Sequence, residues 1–158
     1  ITACYEVPNT KERLFTMYSD IVVVIVTKTK EKYNPRGDEY TSYQLLSTCK
    51  VERVIRGNAQ VGESITISQM GNNRTLIYTD VKNNGDYLQE GQRLMLILRK
   101  NDENPKDSYS IANTVGQYAL DENDHITFMT DTSRSLLGDI QSVDDMEAIW
   151  QEYAAANP

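Results

Sequence analysis

The sequence predicts a mostly β domain with a short helix at its amino end and an amphipathic helix at its carboxyl end. Two apolar runs, residues 21–26 and 94–98, have the length and composition of buried strands. Residues 40–55 alternate with a period of two, and beyond residue 128 the apolar spacing changes to the 3.6-residue period of a helix. At 158 residues the chain has the size of one domain, so we expect residues 1–158 to fold as a single unit.

The first predicted elements are a short helix and a buried strand. Asn9 or Thr10 is a suitable N-cap for a helix through Tyr18, in which Leu14 and Met17 share a face. The β-branched run that follows is typical of a strand buried on both faces. Residues 27–39 are polar and rich in turn formers, which predicts an exposed loop.

The second strand is predicted to be long and bent. One face carries alternate residues that point towards the core: Tyr43, Leu45, Ser47, Cys49 and Val51. The alternation changes phase before Val54. This change predicts a β-bulge near Glu52 and Arg53, a device that curls a long strand around a barrel corner.

Shorter strands and the second helix follow. Strands are predicted at residues 64–70, 93–99, 109–112 and 116–120, with a hairpin turn at 121–124 before a last strand at 125–128. Residues 74–85 are ambiguous between a short strand and turns. Ser142 and Asp145 resemble a capping box, and the apolar stripe after them, including Trp150, predicts a helix within residues 139–156 that packs on the sheet.

Composition and missing motifs argue against several classes of function. The net charge of -7 would repel nucleic acid, and no apolar run approaches the length of a membrane span. Phosphate-loop, dinucleotide-binding and zinc-protease signatures are absent, and His125, the one histidine, has no nucleophile signature nearby. Acidic clusters at 102–103, 121–124 and 144–145 fit solvated turns and a helix amino terminus. We therefore expect no catalysis, no cofactor and no bound metal.

The two cysteines leave three interpretations open. A disulfide between Cys4 and Cys49 would suit an exported protein and contribute about 4 kcal/mol. Residues 1–4, Ile-Thr-Ala-Cys, resemble a bacterial lipobox, which would make Cys4 a lipid anchor and exclude the disulfide. Of the first two interpretations, the disulfide is favoured over the lipid anchor by the presence of residues 1–3. In the third interpretation both are unrelated reduced thiols, Cys49 being a small core residue.

The tyrosines form a candidate binding surface. The chain has ten tyrosines but two phenylalanines and one tryptophan. Five fall in or near the predicted loops and strand ends: Tyr33, Tyr40, Tyr43, Tyr78 and Tyr87. Exposed tyrosines are favoured in recognition surfaces, here for a protein or a glycan. The alternative is that most are partly buried barrel residues.

The order of segments resembles a known family. A leading helix, Ser-Asp-Ile-Val-Val-Val at 19–24, a bent strand ending at 50–57, a Glu-Gly-Gln-Arg turn at 90–93 and Tyr-x-Ile-x-Asn at 109–113 are similar to the netrin-like domain of tissue inhibitors of metalloproteinases. They are also similar to exported bacterial domains with that pattern. The resemblance covers residues 4–128 and implies a five- to six-stranded OB-type Greek-key barrel. Inhibitors of that family chelate zinc through Cys-x-Cys, whereas Tyr5 and Glu6 follow Cys4 here.

Three functional hypotheses follow. The first is a non-catalytic, monomeric binding module that is secreted or held at the cell surface. The second is an inhibitor of an extracellular protease, implied by the resemblance. The third is an enzyme with a dispersed acidic site.

Overall fold

The computed structural model describes residues 7–33, 35, 43–70 and 87–158. The described helices are α1 (Lys11–Met17), α2 (Asp131–Leu137) and α3 (Val143–Ala156). The described strands are β1 (Asp20–Tyr33), β2 (Tyr43–Arg56), β3 (Ser64–Met70), β4 (Arg93–Lys100), β5 (Tyr109–Ile111), β6 (Gln117–Leu120) and β7 (Ile126–Phe128). The fold is mostly β, as the sequence predicts.

The first five strands close into a barrel. Their order is β1-β2-β3-β5-β4, and β4 pairs back onto β1. The β3–β5 contact is parallel, and the other pairings are antiparallel. Strands β6 and β7 extend the sheet outside the closed ring, since β6 pairs with β4 and β7 with β6. A closed five-stranded barrel is compatible with the predicted OB-like fold.

The buried strands β1 and β4 separate two hydrophobic cores. Alternate side chains such as Val22 and Val24 point into the barrel, where they meet Val51, Ile67 and residues of β4. The intervening side chains lie under the three helices, in a cluster that includes Ile21, Val23, Leu14, Phe15, Met95, Ile97, Leu137, Val143 and Met146. Both faces of these strands are therefore buried. This explains why their sequences are continuously apolar rather than alternating.

Two extra residues in β2 orient its arginines. Relative to β1, the register skips Glu52 and Ile55, so Arg53 pairs with Val23 and Arg56 with Ile21. Cross-strand partners share a face, and Val23 and Ile21 face the helices. The predicted bulge near Glu52 is thus confirmed. Together with the second extra residue, Ile55, this bulge places Arg53 and Arg56 on the helix-covered side of the barrel.

The link between β5 and β6 passes closely around β4. Ala112 donates to the Ile97 carbonyl oxygen, and Ile97 donates to the Gly116 carbonyl oxygen, both at 2.9 Å. A Cβ atom on Gly116 would lie 2.7 Å from the Ala112 nitrogen. Only a residue without a side chain fits there without a backbone shift.

Three boundaries differ from the sequence predictions. Strand β1 continues to Tyr33, although residues 27–39 were expected to form a loop, because its polar residues find ladder partners on β2. Helix α2 was not predicted; it has only seven residues and is capped by Thr130, whose side chain accepts from the Ser133 amide. Helix α1 is capped by Thr10 and ends at Met17. Residues 74–85 lie outside the described residues.

The carboxyl-terminal helix matches its prediction. Ser142 caps α3 by accepting from the Asp145 amide, and Val143 and Met146 are fully buried in the core under the helices. Trp150 is half-buried against Phe15, with ring centroids 5.4 Å apart. Within the described part of the chain, the helices are too short or too polar to cross a membrane.

Candidate binding surface

Strands β1, β2 and β3 continue past the point where β1 leaves β4. The β1–β4 pairing ends at Ile25 and Arg93, whereas β1 stays paired with β2 as far as Tyr33 and Tyr43. Strand β2 in turn pairs with β3 as far as Met70. We call residues 28–33, 43–48 and 66–70 the arm.

The arm has two chemically different faces. The β1–β2 register skips Thr27, so Lys28 pairs with Thr48 directly after Val26 pairs with Cys49. This shift puts alternate residues Lys28, Lys30 and Lys32 on the outer side of the sheet, away from the face that carries Cys49. Cross-strand partners share a face. The outer surface, which we call the lysine face, therefore comprises Lys28, Lys30, Lys32, Thr48, Leu46 and Gln44.

The lysine face is a positive row on an acidic protein. Lys28, Lys30 and Lys32 are all exposed, and none forms an ion pair with any residue that the structure describes. Alternate residues of a strand are about 7 Å apart, so the three charges span about 14 Å. The whole chain carries a net charge of -7. The arm is therefore suited to attract a negatively charged partner that the rest of the surface repels.

Two of the predicted tyrosines meet on the opposite face of the arm. Tyr33 is 60% exposed, Tyr43 is half-buried, and their ring centroids are 5.2 Å apart. Tyr87, a third member of the candidate set, is buried, and its hydroxyl donates to the Met70 carbonyl oxygen at 2.9 Å. It fits the alternative interpretation of a partly buried barrel residue. Tyr40 and Tyr78 lie outside the described residues.

Cys49 lies inside the barrel as a free thiol. It is fully buried, and burial raises the pKa of its thiol to about 12. A thiol that stays protonated at neutral pH is a poor nucleophile and a poor metal ligand. Cys4 lies outside the described residues. The disulfide and the lipid anchor at Cys4 therefore stay predictions, and the free Cys49 gives no support to the disulfide.

Two acidic side chains near the start of α3, Asp144 and Glu147, are paired with an arginine of β2, although Asp144 stays 83% exposed. Arg53 donates to Asp144 at 2.8 Å and to Glu147 at 2.6 Å, and it lies 3.4 Å from Asp124. The bonds to Asp144 and Glu147 raise the pKa of Arg53. Arg93 forms a second pair with Asp124. These contacts tie α3 and the β6–β7 turn to the barrel, which gives the acidic side chains a structural role.

His125 lies at the surface beside the same turn. Its side chain is exposed, with Nδ1 3.5 Å from the Asp121 carboxylate. Asp121 also accepts from the backbone amides of His125 at 2.9 Å and Asn123 at 2.8 Å, and these bonds lower the pKa of its carboxyl group. This is the pattern by which an aspartate side chain closes a turn. No three potential metal-ligating side chains come together in the parts of the chain that the structure describes.

One depression lies beside β7. It has a volume of about 100 Å³ and is lined by residues that include Phe128, Arg134 and Gln141. Pockets that enclose small-molecule ligands usually measure about 300–1,000 Å³. The depression is therefore too small to hold a substrate of ordinary size.

Comparison with known proteins does not extend the resemblance. No protein-family model matches the chain, and no curated protein matches it significantly in sequence. What the structure supports is the coarser statement, a closed five-stranded barrel of OB-like form with flanking helices.

Proposed function

We propose that this chain is a non-catalytic binding module of the cell surface or the secreted fraction, and that the lysine face is its contact surface. The proposal depends on one observation, the row of three lysines without described ion partners on a projecting sheet of an acidic protein. On protein surfaces charges of both signs are usually interspersed, and Arg53 and Arg93 are paired with acidic side chains here. An unpaired row of one sign favours a partner of the opposite sign.

The family and the compartment are part of the same proposal. A netrin-like relationship is supported by the segment order and by the OB-like barrel, and it implies an extracytoplasmic setting. We further propose that the free module is a monomer, since identical lysine rows on two copies would repel each other.

The test is a charge reversal with a matched control. Lys30→Glu reverses the centre of the lysine face, and Lys11→Glu makes the same change at an exposed position on α1. Both substitutions are at the surface, so each should change the free energy of unfolding by no more than about 0.5 kcal/mol. The original chain and each variant are immobilised and exposed to the extracytoplasmic fraction of the source cells. The proteins and glycans that each one retains are then identified by mass spectrometry.

We expect the original chain and Lys11→Glu to retain the same partner and Lys30→Glu to lose it. Equal retention by all three would refute the lysine face as the contact surface. A reproducible hydrolytic activity that His125→Ala abolishes would refute the non-catalytic assignment.

A further inference from the structure

In the arm, the described residues leave the outer edge of β1 without a paired strand. Up to Ile25 this edge is occupied by β4. At the next step, the Val26 amide donates to Gln92 at 2.9 Å and the Val26 carbonyl oxygen accepts from Gly91 at 2.8 Å. Beyond that, the Thr29 amide reaches the Glu90 carboxylate at 3.4 Å. The turn at residues 90–92 thus covers the edge only as far as Thr29.

Strand geometry identifies the backbone groups that remain. In an antiparallel ladder, the amide and carbonyl of alternate residues point to the same neighbour. The Thr29 amide points away from β2, towards Glu90. The backbone amides and carbonyls of Glu31 and Tyr33, at alternate positions after Thr29, therefore also point away from β2. No described residue pairs with the Thr29 carbonyl or with the amides and carbonyls of Glu31 and Tyr33. Five backbone groups in strand register along this edge therefore have no partner among the residues that the structure describes.

We propose that this edge binds an extended acidic segment of a partner protein, which adds a strand beside β1. The inference rests on the function proposed above and names the class of partner. An added strand has alternate side chains about 7 Å apart, the same spacing as the row of Lys28, Lys30 and Lys32. Acidic residues at every second position would meet the lysines, while backbone hydrogen bonds form along the edge.

The face of the arm opposite the lysine face determines which residues the partner strand can carry between its acidic positions. It carries Thr29, Glu31 and the exposed ring of Tyr33. Glu31 disfavours acidic residues on this side, so the intervening partner residues should be neutral, and an apolar one can pack on Tyr33. A second copy of this chain is a poor occupant because its own β1 would bring lysines against lysines. An anionic glycan would use the lysines but has no backbone in strand register.

The probe is a synthetic nine-residue peptide with Glu at alternate positions and Thr or Val between them, titrated by fluorescence anisotropy. A second peptide has the same side chains, but the amides that would face β1 are N-methylated, which removes the donors and keeps the charge. A third replaces every Glu by Lys. We expect the first peptide to bind, the N-methylated peptide to bind about tenfold more weakly, and the lysine peptide not to bind.

Variants of the protein separate charge from strand addition. Lys30→Glu should weaken binding of the first peptide about tenfold, and Lys11→Glu should leave it unchanged. Glu31→Pro removes one outward amide, which would donate to a carbonyl oxygen of the added strand, and should weaken binding of the first peptide relative to Glu31→Gln, which makes the same charge change and keeps the amide. Circular dichroism checks that the sheet is intact in each variant.

The outcomes distinguish this inference from the function on which it depends. Equal affinity for the first peptide and its N-methylated form would overturn strand addition, while Lys30→Glu would still lose the partner from the cell extract. Failure of the first peptide to bind at low salt would also overturn the inference. If Lys30→Glu behaves like the original chain with both the peptide and the extract, the proposed function itself fails.

Discussion

Replacing Arg56 by Met tests how the two terminal helices are held to the barrel. The guanidinium of Arg56 donates to the carbonyl oxygens of Phe15 at 2.7 Å and Tyr18 at 2.9 Å, at the end of α1. It also lies 4.0 Å from the ring centroid of Trp150 on α3. One side chain of β2 therefore contacts both helices, and methionine keeps most of its length without its donors or charge.

The expected loss follows from these contacts. A hydrogen bond from a charged donor contributes about 1.5 kcal/mol or more, and a partly exposed cation–π contact contributes about 0.5–1 kcal/mol. Because Arg56 is only half-buried, we take the lower values and expect a total of about 3.5 kcal/mol. In a chain of this size, that loss lowers the melting temperature by about 10 °C. Both bonds come from one nitrogen, Nη1, so Arg56→Lys keeps a charged donor but loses the planar group over Trp150, and it should lose about half as much.

The assay is denaturant unfolding followed by tryptophan fluorescence. Trp150 is the one tryptophan in the chain, so its emission reports directly on the contact with Arg56. Arg99→Met is a matched control, since Arg99 is exposed and lies 5.6 Å from the Tyr18 ring. We expect the control to lose less than about 1 kcal/mol. An equal loss for Arg56→Met and Arg99→Met would refute the reasoning.

Three further predictions concern the barrel interior and the cysteines. Gly116→Ala should lower the free energy of unfolding by about 2–3 kcal/mol in urea titrations, because its Cβ would meet the Ala112 backbone at 2.7 Å; a loss below 1 kcal/mol would contradict this. Burial raises the pKa of Cys49 from 9.0 in the unfolded chain to about 12, so folding favours the protonated thiol. The contribution of this thiol to the free energy of unfolding is therefore complete below pH 9 and is lost as the pH rises towards 12. Between pH 8 and pH 10 the free energy of unfolding, measured in urea titrations, should fall by about 1.3 kcal/mol because of this thiol. Cys49→Ala should remove that part of the pH dependence. Because Cys49 is buried, the disulfide to Cys4 is tested by alkylation after unfolding without reductant, followed by mass spectrometry, and two alkylated thiols would exclude it.

Much of the local structure could be predicted because its cause is local. The period of two in β2 reflects which side chains point inward, and Leu45, Ser47, Cys49 and Val51 are indeed buried. The phase change near Glu52 identified the bulge for the same reason. The cap at Ser142 and the apolar stripe of α3 depend on neighbours within one helical turn.

The candidate site was only partly predictable, because exposure depends on distant contacts. Tyr33 and Tyr43 are adjacent only because β1 and β2 pair beyond the barrel. Tyr87 has the same composition signal, but contact with Met70 buries it. The lysines at residues 28–32 were part of a predicted loop, since a strand with polar residues on both faces lacks the apolar alternation by which strands are recognised.

The sequence by itself determined the fold class, the inward face of β2 and the cap of α3, each of which follows from residue spacing over a few positions. The tertiary structure decided the closure of β1 onto β4, the parallel contact of β3 with β5, and the end of the β1–β4 pairing at Ile25. These features join segments that are far apart in the chain, so their register depends on how the whole barrel packs. Local patterning specifies which face of a strand is buried, but only the closed sheet specifies where its pairing stops.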